Sequence, residues 1–206
     1  MKLYMSPGAC SLSPHIVMRE LGLPFELVAV NGHTKITASG ADFRAINPKG
    51  AVPALQLDDG EVLTEGAAII QFLADHYAPG RLAPAAGTVE RARLNAHLNF
   101  IASEFHPAFG VLFNPASLPG AREAAIAALG RKFMLMEAAL SDGRPYLLGE
   151  DFSLADAYLF VMITWATMMG LDPAPWPRIQ DLGRRIGERA AVKAALAAEA
   201  EIKAAA

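Results

Sequence analysis

The sequence predicts an α/β domain followed by an all-α domain, and two observations carry that reading. Up to about residue 77 the chain alternates short strand-like runs with helical patterns, whereas beyond residue 88 the strand signals stop and long helical patterns separated by Pro and Gly take over. Between them, residues 78–87 are rich in Pro, Gly and Ala, the composition of an exposed connection. The expected limits are 1–79 for the first domain, 80–87 for the linker and 88–206 for the helical domain.

Within the first domain, Leu3-Tyr4-Met5 reads as a strand, Pro14 to Leu21 as a helix and Phe25 to Val30 as a second strand, a β-α-β unit. Ser13-Pro14 suits a cap followed by the first helical position. The polar stretch from Thr37 to Ile46 is expected to be partly helical. Ala54 to Leu57 and Val62 to Thr64 flank Asp58-Asp59-Gly60, a hairpin signal. Glu65 to Tyr77 has apolar residues at Ala68, Ile69, Phe72, Leu73 and Tyr77, at helical spacing. The resulting order, βαβαββα, implies a mixed four-stranded sheet of thioredoxin-like type.

The second domain reads as helices over 88–110, 121–140, 153–168 and 177–200. Ser153 with Asp156 three residues on, preceded by Phe152, is the signature of a capping box with a hydrophobic staple, so a buried helix is expected to start there. The Ala-rich tail after Glu199 is expected to fray and carries no chemical signal.

Composition narrows the function. Eighteen Lys and Arg against 21 Asp and Glu give a formal charge of −3 with no long run of either sign, which argues against nucleic acid or an anionic membrane as partner. The single cysteine forms no internal disulfide and suits a reducing compartment, so a cytoplasmic protein is expected. Pro7 and Gly8 interrupt the N-terminus before an apolar signal core forms, and no run reaches a membrane span of about 20 apolar residues. There is no zinc-spaced Cys/His set, P-loop or G-x-G-x-x-G, so neither metal nor nucleotide is implied.

The domain order together with Ser6-Pro7-Gly8-Ala9-Cys10-Ser11, Asn47-Pro48-Lys49-Gly50-Ala51-Val52-Pro53, Leu63-Thr64-Glu65-Gly66 and His106 resembles the glutathione S-transferase superfamily, and within it the bacterial beta class. The resemblance covers essentially the whole chain. It implies glutathione as co-substrate, an electrophilic or disulfide second substrate, a homodimer and a detoxification role.

The resemblance and the residues together set the candidate site. Cys10 stands at a helix N-terminus, where the partial positive charge favours a thiolate and lowers the thiol pKa; the alternative is a small buried hydrophobe. By resemblance Cys10 contacts glutathione and can form a mixed disulfide with it. Val52-Pro53 resembles the superfamily's cis-proline turn, with the Val52 backbone pairing with the cysteinyl part of the ligand; an ordinary trans proline at an edge strand is the alternative. Glu65 and Gly66 open a helix whose N–H groups can receive a carboxylate, with the Glu65 side chain facing an ammonium, although an acid there also simply complements the helix dipole. Where this chain has Gly66, many superfamily members have Ser. Lys35 matches a lysine that reaches glutathione in the class, and an exposed loop lysine is its other reading.

Asn99, Ser103 and His106 share a face if one continuous helix carries them, with Pro107 a possible kink. His106 is the candidate hydrogen-bond donor to a thiolate or to the glycyl end of glutathione; His15, His33, His76 and His97 are read as structural. Phe109, Phe113, Trp165, Met168 and Met169 are candidates either for an apolar second-substrate pocket or for plain core. Tyr4, the alternative thiolate stabiliser, fits packing better. The expected function is a glutathione transferase with Cys10 and His106 at its centre, capable of conjugation, thiol-disulfide exchange or peroxide reduction. The rival is a non-catalytic ligand-binding or regulatory protein on the same fold.

Overall fold

The computed structural model describes residues 1–205, which divide into two compact units, 1–81 with the described residues from 188 on, and 82–187. In the first unit, strand β1 (Lys2–Met5) is followed by helix α1 (Leu12–Glu20), β2 (Glu26–Ala29), β3 (Ala54–Gln56), β4 (Val62–Thr64) and α2 (Gly66–Tyr77). The sheet order is β2-β1-β3-β4. β1 and β2 are parallel, as the α1 crossover requires, with Leu3 opposite Leu27; β3 runs antiparallel to both β1 and β4. Leu3, Met5 and Leu55 from the sheet are buried, as are Ile16 of α1 and Ile69 and Leu73 of α2.

In the first unit three features differ from the sequence expectation. The helix expected between β2 and β3 is a single 3-10 turn, Phe43–Ala45. Polar side chains there compete with a helical ladder: Thr37 Oγ1 accepts from the Ala41 amide at 3.1 Å and Asp42 Oδ1 from the Arg44 amide at 2.9 Å. Helix α1 starts at Leu12 with Ser11 at the cap position, two residues before the expected Ser13. The Ser11 hydroxyl does not cap; it bonds the Ser6 amide and carbonyl, each at 3.2 Å, and closes the loop that holds Cys10.

The third difference is at the C-terminus. The pattern read as one helix over 177–200 is broken after Gly187, and the last piece, α8 (Ala190–Ala204), belongs to the first unit, where it packs on α1. The tail is helical through Ala204 rather than frayed after Glu199.

The second unit contains α3 (Val89–Phe100), α4 (His106–Phe113), α5 (Pro119–Ala139), α6 (Leu154–Met168) and α7 (Pro177–Gly187). Leu82 and Ala83, in the stretch expected to be an exposed connection, are buried, and the Leu82 carbonyl accepts from the Leu154 amide at 3.1 Å. Between α3 and α4 the chain makes a π-helical turn, Ile101–Phe105, in which the His106 amide reaches back to the Ile101 carbonyl. Pro107 explains it: proline has no N–H for the helical ladder and its ring crowds the carbonyl four residues back, which the wider turn accommodates. Helix α6 is the core of this unit, buried almost throughout, and its capping box forms, with Asp156 Oδ2 accepting from the Ser153 amide at 2.9 Å and from the Ser153 hydroxyl at 2.6 Å.

Candidate functional site

Five of the residues singled out from the sequence, Cys10, Lys35, Val52, Glu65 and Gly66, lie in the first unit, on the loops that leave the ends of β1, β2 and β4 and the loop that enters β3. Cys10 precedes the Ser11 cap of α1, and its side chain is half-buried. Its S–H donates to the Val52 carbonyl at 3.3 Å. The Val52–Pro53 peptide bond is cis, as the resemblance implied.

The ionisation of Cys10 is opposite to the sequence expectation. Burial pushes the thiol up from 9.0 to about 11, its own and the Ser11 backbone N–H groups pull weakly the other way, and the negative charge of Glu65 adds to the rise. Desolvation of a thiolate therefore outweighs the helix N-terminus in the ligand-free chain.

The hairpin brings the Val52 loop and the α2 N-terminus together, since Ala54 pairs with Thr64 and the residues flanking that pair run side by side. Lys49, before β3, consequently meets Glu65, after β4: its Nζ is 2.6 Å from Glu65 Oε1 and 3.3 Å from Thr64 Oγ1. Lys49 was not among the expected site residues, since it lies in the turn before β3 and nothing local in the sequence pairs it with Glu65. Glu65 has φ +70° and ψ 112°, a region that side-chain-bearing residues rarely occupy. Such an outlier persists only where surrounding structure imposes it, and it marks functional positions more often than ordinary turns.

Gly66 begins α2, so its amide is among the unpaired N–H groups of that helix. A Cβ on Gly66 would stand 3.6 Å from Pro53 Cγ and 3.8 Å from Ser13 Oγ, so the three residues abut. That Ser13 hydroxyl is buried without a hydrogen-bond partner among the described residues. Lys35, at φ +64°, is half-buried, and its Cδ and Cε lie 3.8 Å from where a Gly50 Cβ would be, so the lysine stem runs beside the turn that leads to Val52. The resulting set holds a thiol, a carboxylate, two ammonium groups and helix N–H donors, groups that suit a small zwitterionic peptide.

In the second unit the π turn alters the expected face. Asn99 and Ser103 are exposed, and the Ser103 hydroxyl donates to the Asn99 carbonyl at 2.8 Å. His106, rotated by the wider turn, is half-buried with Nδ1 2.9 Å from the Tyr158 hydroxyl and its ring 4.9 Å from that of Trp165. Phe109 and Phe113 pack on the same indole at 5.4 and 4.8 Å between centroids; Phe109 and Trp165 are core, whereas Phe113 and Met168 are exposed. A separate cavity of about 410 Å³, lined by Phe160, Ile163, Leu171, Trp176 and Arg184 among others, includes none of these aromatic candidates. Tyr4 is core, as expected, with its hydroxyl donating to Gln56 Oε1 at 3.2 Å.

Residues 8–76 match the model of the glutathione S-transferase N-terminal domain, and residues 119–182 that of the C-terminal domain. The chain belongs to the glutathione S-transferase family. It is 41% identical to glutathione S-transferase GstA of Escherichia coli O157:H7 over 97% of this chain and 98% of that protein. Among solved structures it resembles a sphingomonad glutathione S-transferase complexed with glutathione, at 46% identity and TM-score 0.92 over 97% of this chain and 99% of that one. A bacterial beta-class glutathione S-transferase from Sphingomonas chungbukensis is equally similar, at 46% identity and TM-score 0.92 over 97% and 98% of the two chains. The thioredoxin-like half and the helical half of this transferase are those of the beta-class structures. No helix among the described residues is long and apolar enough to cross a membrane.

Proposed function

We propose that this chain is a glutathione transferase that binds glutathione at the Cys10, Val52 and Glu65 loops and transfers or exchanges its sulfur with an electrophilic or disulfide substrate. The observation that carries the reading is the Cys10 S–H resting on the Val52 carbonyl at 3.3 Å, in the unit whose α2 N-terminus opens at Glu65 and Gly66. The similarity to a transferase structure that contains glutathione supports the same ligand.

The residues divide the work. The free N–H groups at the start of α2 receive a carboxylate, and Glu65 attracts an ammonium after exchanging its Lys49 partner for the ligand. The Val52 backbone pairs with the peptide in the manner of an added strand, and the Lys35 ammonium is a second anchor for carboxylate. With its pKa near 11, Cys10 is a thiol at neutral pH, so its first role is to donate a hydrogen bond to the glutathione thiolate and hold that sulfur for attack. In exchange chemistry the Cys10 sulfur, once deprotonated, attacks a disulfide: a new S–S bond forms, the old one breaks, and the departing thiolate takes up the proton. His106 is assigned a part in turnover from the second unit, together with exposed Asn99 and Ser103 as ligand-binding groups. A lone cysteine that must cycle through its reduced form suits a cytoplasmic, glutathione-rich compartment.

Intact mass measurement tests the reading. Oxidised glutathione should add one glutathionyl group to the wild-type chain and none to Cys10→Ala, and the variant should lose thiol-disulfide exchange while keeping part of its conjugation activity, because there the attacking sulfur belongs to glutathione. A wild-type thiol that resists glutathionylation, with both activities unchanged in Cys10→Ala, would make Cys10 a packing residue.

A further inference from the structure

The C-terminal helix places a carboxylate inside the first unit. Val192, Ala195 and Glu199 form the buried stripe of α8, and Glu199 is only 4% exposed. Its Oε2 accepts from the Gly8 amide at 2.8 Å, in the loop that leads from β1 to Cys10. Its Oε1 lies 3.0 Å from Nδ1 of His15, a fully buried residue of α1. On the far side of that ring, Arg19 Nε donates to His15 Nε2 at 2.8 Å. Because the arginine N–H can only donate, Nε2 accepts, and Nδ1 carries the proton given to Glu199. The donors converge on Glu199: Arg19 gives to His15 and His15 to one carboxylate oxygen, while the Gly8 amide, two residues from Cys10, gives to the other. A buried carboxylate is costly unless its oxygens are satisfied, and each oxygen here has its own donor.

We propose that Glu199 is a positioning residue for Cys10: by holding the Gly8 amide, the C-terminal helix sets the path of the loop that keeps the Cys10 thiol on the Val52 carbonyl. Gly8 has φ +75° in a turn closed by the Ala9 amide on the Ser6 carbonyl at 3.0 Å, the Ser6–Ser11 bonds close the far side of the same loop, and the Glu199 carboxylate ties the Gly8 amide to the C-terminal helix. A second tie between α8 and α1, Arg189 to Glu20 at 2.6 and 2.9 Å, touches no part of that loop and serves as the internal control.

The inference rests on the reading of Cys10 as the working thiol, but its test uses the ligand-free chain. Iodoacetamide alkylation at pH 8 reports on the single cysteine, followed by intact mass, in wild type, Glu199→Gln and Glu20→Gln. Glutamine keeps the volume of Glu199 and turns one acceptor into a donor, so either Gly8 or His15 loses its partner. A freed loop lets the thiol return from about 11 toward 9.0. At pH 8 that multiplies the thiolate fraction about 90-fold and reduces its intrinsic reactivity about eightfold, leaving a ceiling of about tenfold in rate. The expected result is a rate about threefold to tenfold above wild type in Glu199→Gln, with Glu20→Gln within about twofold even if both lower the unfolding midpoint equally. Equal acceleration in the two variants, or none in Glu199→Gln, overturns the proposal. Should Glu199→Gln fail to fold, Glu199→Asp, which keeps the charge and shortens the reach to Gly8, makes the same comparison. A thiol that alkylates faster in the variant but takes up no glutathione in wild type supports the positioning role and overturns only the functional reading.

Discussion

Asp156 offers a perturbation whose sign and size follow from the structure. Its carboxylate is fully buried at the start of α6 and accepts from the Ser153 amide and the Leu147 amide, each at 2.9 Å, and from the Ser153 hydroxyl at 2.6 Å. Burial pushes its pKa up from 3.8 to about 6, and the three hydrogen bonds restrain the rise without cancelling it. The folded chain therefore binds the proton more tightly than the unfolded chain. Its contribution is most favourable below pH 4, declines as pH rises from about 4 to about 6, and is level above that. At 1.36 kcal/mol per pH unit, the interval from 3.8 to about 6 amounts to about 3 kcal/mol. Asp156→Asn cannot ionise, so the stability of wild type minus that of the variant should fall by about 2 kcal/mol between pH 4 and pH 6.5, most of the full interval, and then stay nearly constant. Urea unfolding of the two proteins in parallel measures that difference, and every other titrating group cancels in it. A difference that is flat with pH, or that grows as pH rises, would refute the argument from burial.

Other outcomes follow from the same geometry. Asp156→Ala should cost more than the 0.5–2 kcal/mol typical of a lost cap, because the Leu147 and Ser153 amides also lose a buried acceptor worth about 1–3 kcal/mol each; chemical unfolding at pH 7 reads the sum. Glu65→Gly relieves the backbone at φ +70° and should raise the unfolding midpoint by the equivalent of about 1 kcal/mol while weakening glutathione binding, a trade seen by pairing thermal unfolding with ligand titration. His106→Ala should lower turnover with glutathione by at least about tenfold and leave the first unit's glutathione uptake at Cys10 intact, which steady-state kinetics and intact mass separate. The chain should sediment as a two-fold dimer at micromolar concentration, since Ile126, Met134 and Leu135 of α5 and Val89 of α3 are large apolar side chains at 45–64% exposure; a purely monomeric boundary would contradict this.

Most of the first unit was legible because its signals are local. The strand runs, the Asp-Gly hairpin turn and the apolar spacing of residues 66–77 each act over a few residues, and the structure realises them as β1 to β4 and α2. The stretch from Thr37 to Ile46 was harder because its polar side chains satisfy the backbone in turns as readily as in a helix. The helical half was legible in the position of its long segments, but neither the break after Gly187 nor the π turn at Ile101–Phe105 was. Pro107 signals a disturbance without saying whether the helix kinks, breaks or widens, and the shared face expected for Asn99, Ser103 and His106 depended on that choice.

What the sequence hid about the site is long-range. A cysteine before a helix reads as activated, yet its state depends on how much water reaches it, and the Val52 carbonyl that accepts its hydrogen bond is 42 residues away. Likewise Glu199, at the edge of an Ala-rich tail read as carrying no chemical signal, was given no part in the site. Its spacing from Val192 and Ala195 already put it on the buried side, and a buried carboxylate must find donors. The donors it finds, Gly8 and His15, are 191 and 184 residues distant, and one of them had been read as merely structural. In the ligand-free chain burial outweighs the helix N-terminus at Cys10, and on the proposed reading two acceptors brought from elsewhere keep it buried, a carbonyl that bonds the thiol and a carboxylate that holds the loop. A ligand that competes for the Val52 carbonyl would release the first of these restraints and leave the second in place. On that reasoning, S-methylglutathione, which can occupy the backbone of Val52 but offers no thiol, should change the Cys10 alkylation rate in wild type and change it less in Glu199→Gln, where the loop is already free. Identical responses in the two proteins would separate the loop from the thiol and remove the link between the C-terminal helix and the site.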